Sequence, residues 1–231
     1  MSEHLYADHP ELYDAIQSEW DYDRDVEFVL DALDRHGATG DRLLEAGCGT
    51  GEHTRRFVDR GFDVTAVDRY EGMLSVARRK CDAEFQRATL PDLPVAGRFD
   101  AVVAIRGVVN HLPPDDLLPS LHALGSRLAD GGVLVFDNSS LPPEGNRPAL
   151  DAATTAHGRY ARVVQLRPDG EGRLDWNAVT FTDGDCFVNS RKMTPFEDDR
   201  IATALDRVGL SVRTHDGFGP DDDRTVFVAT R

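Results

Sequence analysis

The ten residues Arg42-Leu-Leu-Glu-Ala-Gly-Cys-Gly-Thr-Gly51 decide how this chain is read. Leu43 and Leu44 form a short apolar run without helical spacing, and Gly47, Gly49 and Gly51 follow at once, so a buried strand runs into a glycine loop. Glu52 to about Arg60 then carries a helical pattern that Gly61 ends. A strand, a turn able to adopt left-handed backbone and a helix open a doubly wound sheet, in which ligands sit beyond the carboxyl ends of the strands.

Working outward, Val26, Val29, Leu30 and Leu33 recur at helical spacing within Asp23 to His36, and Gly37 stops that helix before the first strand. After the glycine loop come DVTAVD (63–68), a short strand around Phe85, RFDAVVAI (98–105) and GGVLVFDNSS (131–140). Helical patterns through Met73, Leu74 and Ala77, and through Leu117, Leu121, Leu124 and Leu128, separate them, with Gly131-Gly132 expected as a stop. This alternation predicts βαβ units and a parallel sheet covered on both faces.

The texture changes after LPPEGNRPAL (141–150). ARVVQL (161–166), LDWNAVTFT (174–182) and DCFVNSRKM (185–193) read as strands joined by turns, Asp183-Gly184 being a strong hairpin signal that tolerates positive φ. Helix and strand return at TPFE (194–197), which predicts a capping box with Thr194 as N-cap, Pro195 at the first helical position and Glu197 closing it. LSVRTH (210–215) and RTVFVAT (224–230) predict an antiparallel pair at one edge of the sheet. The expected division is a helical segment at 1–40, an α/β domain at 41–150 and 194–231, and an antiparallel insertion at 151–193.

The loop spacing departs from the dinucleotide fingerprint, since G-x-G-x-x-G places a glycine where this chain has Glu52. The first strand ends on acidic Glu45. The second ends on Asp68, 21 residues after Gly47, where a carboxylate can accept from the vicinal hydroxyls of a ribose.

LLEAGCGTG (43–51), VTAVDRYEGMLSVAR (64–78), FDAVVAIRGVVNHL (99–112) and LADGGVLVFD (128–137) resemble the successive motifs of the class I S-adenosylmethionine-dependent methyltransferases. ELYDAIQSEWDYDRDVEFVLDAL (11–33) and the insertion resemble, more narrowly, the glycine-type and deoxyaminosugar N-methyltransferases. The resemblance implies a doubly wound, Rossmann-like α/β fold with a seven-stranded sheet and an antiparallel edge strand. It also implies S-adenosyl-L-methionine as cofactor and methyl transfer to a small-molecule acceptor, with N-methylation preferred over O-methylation.

Carried onto this sequence, the resemblance puts Glu45 and the Gly47 backbone at the methionine part of the cofactor, with Cys48, Gly49 and Gly51 shaping the loop. It puts Asp68 on the ribose, Arg69, Tyr70 and Met73 beside the adenosine, and Tyr13 and Trp20 on a lid, with Tyr22 a further candidate. Relatives place an Asp after the third strand for the adenine amino group. Here Thr89 stands there, with the Leu90 amide beside it. The resemblance also puts Ile105, Arg106 and His111 in the floor near the transferring methyl. Arg106 reads as a binder of a substrate carboxylate or phosphate, or as a salt-bridge partner, and His111 as a general base or a structural hydrogen-bonder. His53 reads as a capping or solvent-facing side chain. Trp176 and Tyr160 read as packing of the insertion, with a pocket-facing role as the alternative. No metal-ligand constellation is present, so no metal is expected. A nicotinamide- or nucleotide-sugar-dependent oxidoreductase and a non-catalytic cofactor-binding protein are the competing readings.

Across all 231 residues, 41 acidic side chains face 26 basic ones, a formal charge of −15. Such a surface argues against nucleic acid or anionic membrane as partners. Asp outnumbers Glu 30 to 11 and only Lys80 and Lys192 are lysines. That pattern fits a halophilic protein whose carboxylates hold water in concentrated salt. Cys48, Cys81 and Cys186 are far apart, and MSEHLYADHP lacks the basic and apolar regions of a signal peptide. A reducing cytoplasm is expected, and a homodimer is one use for the insertion's sheet.

Overall fold

A computed structural model describes residues 9–155 and 158–231. These residues fall into two compact units, one of 21–140 with 196–231 and one of 9–20 with 141–155 and 158–195.

The larger unit holds helix α2 (Tyr22–Arg35), strand β1 (Arg42–Ala46), α3 (Glu52–Asp59), β2 (Asp63–Asp68), α4 (Glu71–Ala77), β3 (Glu84–Arg87) and β4 (Phe99–Ala104). It continues with α5 (Leu117–Ser126), β5 (Leu128–Asn138), α6 (Asp198–Arg207), β10 (Ser211–Asp216) and β11 (Thr225–Thr230). The sheet order is β10-β11-β5-β4-β1-β2-β3. β5, β4, β1, β2 and β3 are mutually parallel, while β11 runs antiparallel to β5 and to β10. The β10–β11 pair therefore closes one edge, as the sequence pattern implies.

Parallel strands buried on both faces need apolar side chains in both directions, and β1, β4 and β5 supply them. Leu43, Ala101, Val103, Val133 and Val135 pack beneath Val26, Val29 and Leu33 of α2 and Phe57 of α3. On the opposite face Leu44, Val102, Leu134, Phe136 and Phe227 meet Leu121 and Leu124 of α5 and Ile201 and Leu205 of α6. Each such Val, Leu, Ile or Phe side chain contributes about 1.5–3 kcal/mol of burial, which is what presses the helices onto the sheet.

Two local expectations fail. Gly131 and Gly132 do not stop a helix; they lie inside β5, which begins at Leu128, while α5 has already ended at Ser126. The capping box at 194–197 does not form either. α6 begins at Asp198 with Glu197 as N-cap and no side-chain cap bond, while the Thr194 hydroxyl accepts from Arg173 Nε at 3.2 Å. The acidic pair Asp198-Asp199 in the first turn complements the helix dipole instead.

The smaller unit holds α1 (Pro10–Ile16) and a four-stranded antiparallel sheet of β6 (Ala149–Thr155), β7 (Gly158–Pro168), β8 (Leu174–Thr182) and β9 (Cys186–Met193), in that order. β6 lies in a stretch whose sequence pattern announces no strand. Leu166, Leu174, Trp176, Ala178 and Met193 cluster on one face, so Trp176 packs the sheet as expected, and Tyr160 is likewise buried. Asp183-Gly184 does turn the β8–β9 hairpin, with the Thr182 N–H donating to Asp185 O at 2.9 Å, but neither turn residue takes positive φ.

Candidate active site

The carboxyl ends of β1, β2 and β4 converge on the glycine turn. Gly47, Gly49 and Gly51 all have positive φ, 77°, 56° and 79°. The Gly47 and Cys48 amides donate to Val67 O at 2.7 and 3.0 Å, tying the turn to the end of β2. A Cβ on Gly47 would lie 2.6 Å from a Val108 methyl, so only glycine lets this turn pass the segment that follows β4. A Cβ on Gly49 would meet nothing within 4 Å: its outer side is open.

Two carboxyl groups are set into this turn. Glu45 is buried and accepts from the Thr54 hydroxyl at 2.6 Å. Burial pushes its pKa up to about 8 against that hydrogen bond, with the Asp68 charge adding to the rise. Asp68 accepts from the Gly49 amide at 3.0 Å and the Tyr70 amide at 2.8 Å, so its orientation is fixed from both sides. Burial raises its pKa too, while those two amides and the Arg69 charge oppose the rise. Cys48 is buried, and desolvation first, then the Glu45 and Asp68 charges, hold its thiol far above the ordinary range: it fills space and stays protonated.

The Arg69 guanidinium lies 4.6 Å from the Tyr70 ring centre and donates to its hydroxyl. Met73 is buried in α4. Thr89 is exposed and bridges to Asp92, with half-buried Leu90 between them. Ile105 is buried directly after β4. His111 is half-buried at the end of a short 3-10 turn, Val109–His111, and its amide donates to Val108 O at 3.2 Å. Tyr13 in α1 and Trp20 beyond it are half-buried members of the smaller unit.

The Arg106 guanidinium lies 5.4 Å from the centre of the buried Tyr22 ring, and its backbone is left-handed at φ 71°. For a side chain with a Cβ that conformation costs roughly 1–2 kcal/mol. The next residue, Gly107, is left-handed as well at φ 69°. Sequence reading missed His53, which is no solvent-facing cap. It is buried, with Nε2 3.1 Å from Asp25 Oδ2, and its ring meets Tyr22 edge-on at 4.9 Å. Burial keeps the ring neutral by lowering its pKa, against the pull of Asp25. No local signal announces a pair 28 residues apart.

Residues 43–132 match the family model described as a methyltransferase domain. The chain is 33% identical to a methyltransferase-family protein of Geobacillus sp. (strain WCH70) over 54% of its own length and 53% of that protein's, so it spans about half the length of such curated relatives. It is 27% identical, over 91% of this chain and 86% of the relative, to the dTDP-3-amino-3,6-dideoxy-alpha-D-glucopyranose N,N-dimethyltransferase of Streptomyces fradiae. Among solved structures, DesVI of Streptomyces venezuelae superposes with a TM-score of 0.86 at 23% identity, covering 97% of this chain and 98% of that one.

Proposed function

We propose that this protein transfers a methyl group from S-adenosylmethionine to a small-molecule amine, a reading supported by the match of residues 43–132 to a methyltransferase-domain family model and by the fold shared with DesVI. The observation that carries the reading is the pair of buried carboxyl groups, Glu45 and Asp68, set around a glycine turn whose outer side is open. The donor set fits the cofactor: an acid for an ammonium, an acid for a vicinal diol, and bare backbone between them.

S-adenosylmethionine, when bound, supplies an electrophilic methyl on a sulfonium. Glu45 and the Gly47 backbone would take its amino-acid end, with Cys48, Gly49 and Gly51 shaping the bed. Asp68 would hold the ribose, Arg69, Met73, Thr89 and Leu90 would line the adenosine side, and Ile105 would lie in the floor near the methyl. In-line displacement asks chiefly that nucleophile, methyl and sulfur be held collinear. An amine that arrives neutral needs only acceptors around it, and His111 is the group to take its proton, with Arg106 facing an anionic part of the acceptor. An amino sugar is the acceptor class we favour, since the Streptomyces fradiae relative, named for an amino-sugar substrate, aligns with nearly the whole chain.

Calorimetric titration of the folded protein with S-adenosylhomocysteine, in dilute and in molar KCl, tests the foundation. Absence of binding in both would overturn it. Binding without methyl transfer to any nucleotide-linked amino sugar, simple amine or alcohol would instead mark a cofactor-binding protein.

We further infer a saline, reducing cytoplasm as its setting, from 30 aspartates against two lysines and three separate free cysteines. Among the described residues no helix is long and apolar enough to cross a membrane. A homodimer would use the small sheet, where Leu150, Val163, Val179 and Val188 stand in register across all four strands and the first, second and fourth of them are exposed, as is Phe181 on the same face. In a chain of this charge, an uncharged surface is complementary to its own copy. Sedimentation of wild type and Phe181→Asp in molar KCl decides this; a monomeric wild type excludes the dimer.

A further inference from the structure

One buried carboxylate has no part in the proposed chemistry, yet it touches the floor of the site. Asp137, fully buried near the end of β5, accepts from the Arg106 amide with Oδ1 and from the Gly107 amide with Oδ2, the latter at 2.8 Å. These are the two consecutive left-handed residues that follow Ile105. Arg224 Nη1 lies 3.6 Å from Asp137 Oδ2, and Arg224 is itself clamped by Asp222 at 2.7 Å. Behind it Asp222 lies 3.6 Å from Arg24, and Arg24 pairs with Asp25 at 3.2 Å, which in turn holds His53. A chain of alternating charge thus runs from the loop after β4 to the helix after the glycine turn.

Backbone strain of this kind persists only where the surroundings over-determine it. Here they do so by two charge-assisted hydrogen bonds to adjacent amides. A Cβ on Gly107 would stand 2.6 Å from the Ser139 hydroxyl, so the turn has no freedom on that side. The carbonyl of Ile105 and the side chain of Arg106 take their directions from this turn.

We propose that Asp137 is a positioning residue for methyl transfer: it pins the Arg106–Gly107 turn and so fixes what Ile105 and Arg106 present to cofactor and acceptor. The consequence for the reaction rests on the methyltransferase reading; the pinning itself does not. Burial raises the Asp137 pKa to about 6, against Arg224 and the two amides, and the Asp25 charge adds to the rise. The charged groups along this chain are Arg224, Asp222, Arg24 and Asp25, with neutral His53 at its far end. Below about pH 6 the carboxyl takes a proton and can no longer accept fully through both oxygens.

Two measurements on the same samples separate the pinning from the reaction: hydrogen-exchange protection of the Arg106 and Gly107 amides, and affinity for S-adenosylhomocysteine. In the wild type both should decline as pH falls through about 6. In Asp137→Asn, whose NH2 opposes one of the two donors, both should be lost at neutral pH, affinity by about tenfold or more. In an Arg106→Gly background, where left-handed backbone is free of penalty, the same change should cost markedly less. Full protection of both amides in Asp137→Asn, or an equal cost in the two backgrounds, overturns the proposal. If Asp137→Asn does not fold, Arg224→Gln takes its place. Without that positive charge the acid loss must move to higher pH, and an unmoved profile overturns the proposal. Amide protection that follows pH and Asp137 in a protein with no affinity for S-adenosylhomocysteine would uphold the pinning and refute the cofactor reading.

Discussion

At the residue scale, Glu45 carries its proton at neutral pH because a bare carboxylate in that buried position is poorly solvated and faces Asp68. A cationic ligand group beside it reverses the balance. Binding of S-adenosylhomocysteine at pH 7 should therefore release a proton, read as a dependence of the calorimetric enthalpy on buffer ionisation heat, and Glu45→Gln should abolish the release. The stability sign follows from the same shift. With a folded pKa raised from 4.5 to about 8, Glu45 contributes stability that is complete below about pH 4.5 and lost as pH rises through about 8. Glu45→Gln should flatten that part of the urea-unfolding profile. Gly47 makes a second case: alanine there meets both a positive φ and the Val108 methyl. Gly47→Ala should cost roughly 1–2 kcal/mol for the backbone alone, and Val108→Ala should recover only the steric remainder.

At the scale of elements, α2 shows how much of a helix is written locally. Its apolar stripe, its stop near Gly37 and its N-cap, Asp21 accepting the Arg24 amide at 3.0 Å, all lie within sequence neighbours. Asp21→Ala should cost about 1 kcal/mol in thermal or urea unfolding. Asp25, four residues on, belongs to a different class, because its partner His53 comes from α3. Asp25→Ala leaves the buried, neutral His53 without its hydrogen-bond partner and should cost about 1–3 kcal/mol, with the α2–α3 contact loosening first in hydrogen exchange. The capping box at 194–197 failed for a related reason. Its residues suit a helix start, but Thr194 is engaged by Arg173 of the β7–β8 turn, and the helix begins after Glu197. A local signal gave way to a tertiary partner 21 residues distant.

At the scale of the whole molecule, the charge of −15 is spread over a surface where Asp dominates. Many of the ion pairs are solvent-facing, such as Arg60 with Glu27 at 2.5 Å, and pairs of that kind contribute little. If the protein is halophilic, self-repulsion among the excess carboxylates opposes folding in dilute buffer, and salt screens it. Refolding yield and melting temperature should rise from dilute buffer to molar KCl; undiminished stability in dilute buffer would refute the halophilic assignment.

What the sequence determined by itself was carried by short spacing. The alternation of strands and helices through 42–138, the glycine turn, Glu45 and Asp68 at the carboxyl-terminal halves of β1 and β2, and the antiparallel character of 161–193 follow from periodicity and from residue types that few backbones accommodate. Tertiary structure alone decided the wiring beneath the site: His53 against Asp25, Asp137 beneath Arg106 and Gly107, Arg224 behind Asp137. These partners lie 28 to 31 residues apart, or, for Arg224 just before β11, farther still from Asp137. Their pairing depends on which strands the sheet sets side by side and on the absence of water there. Burial turns a distant carboxylate from a solvated charge into an obligatory hydrogen-bond partner, and no local pattern encodes that.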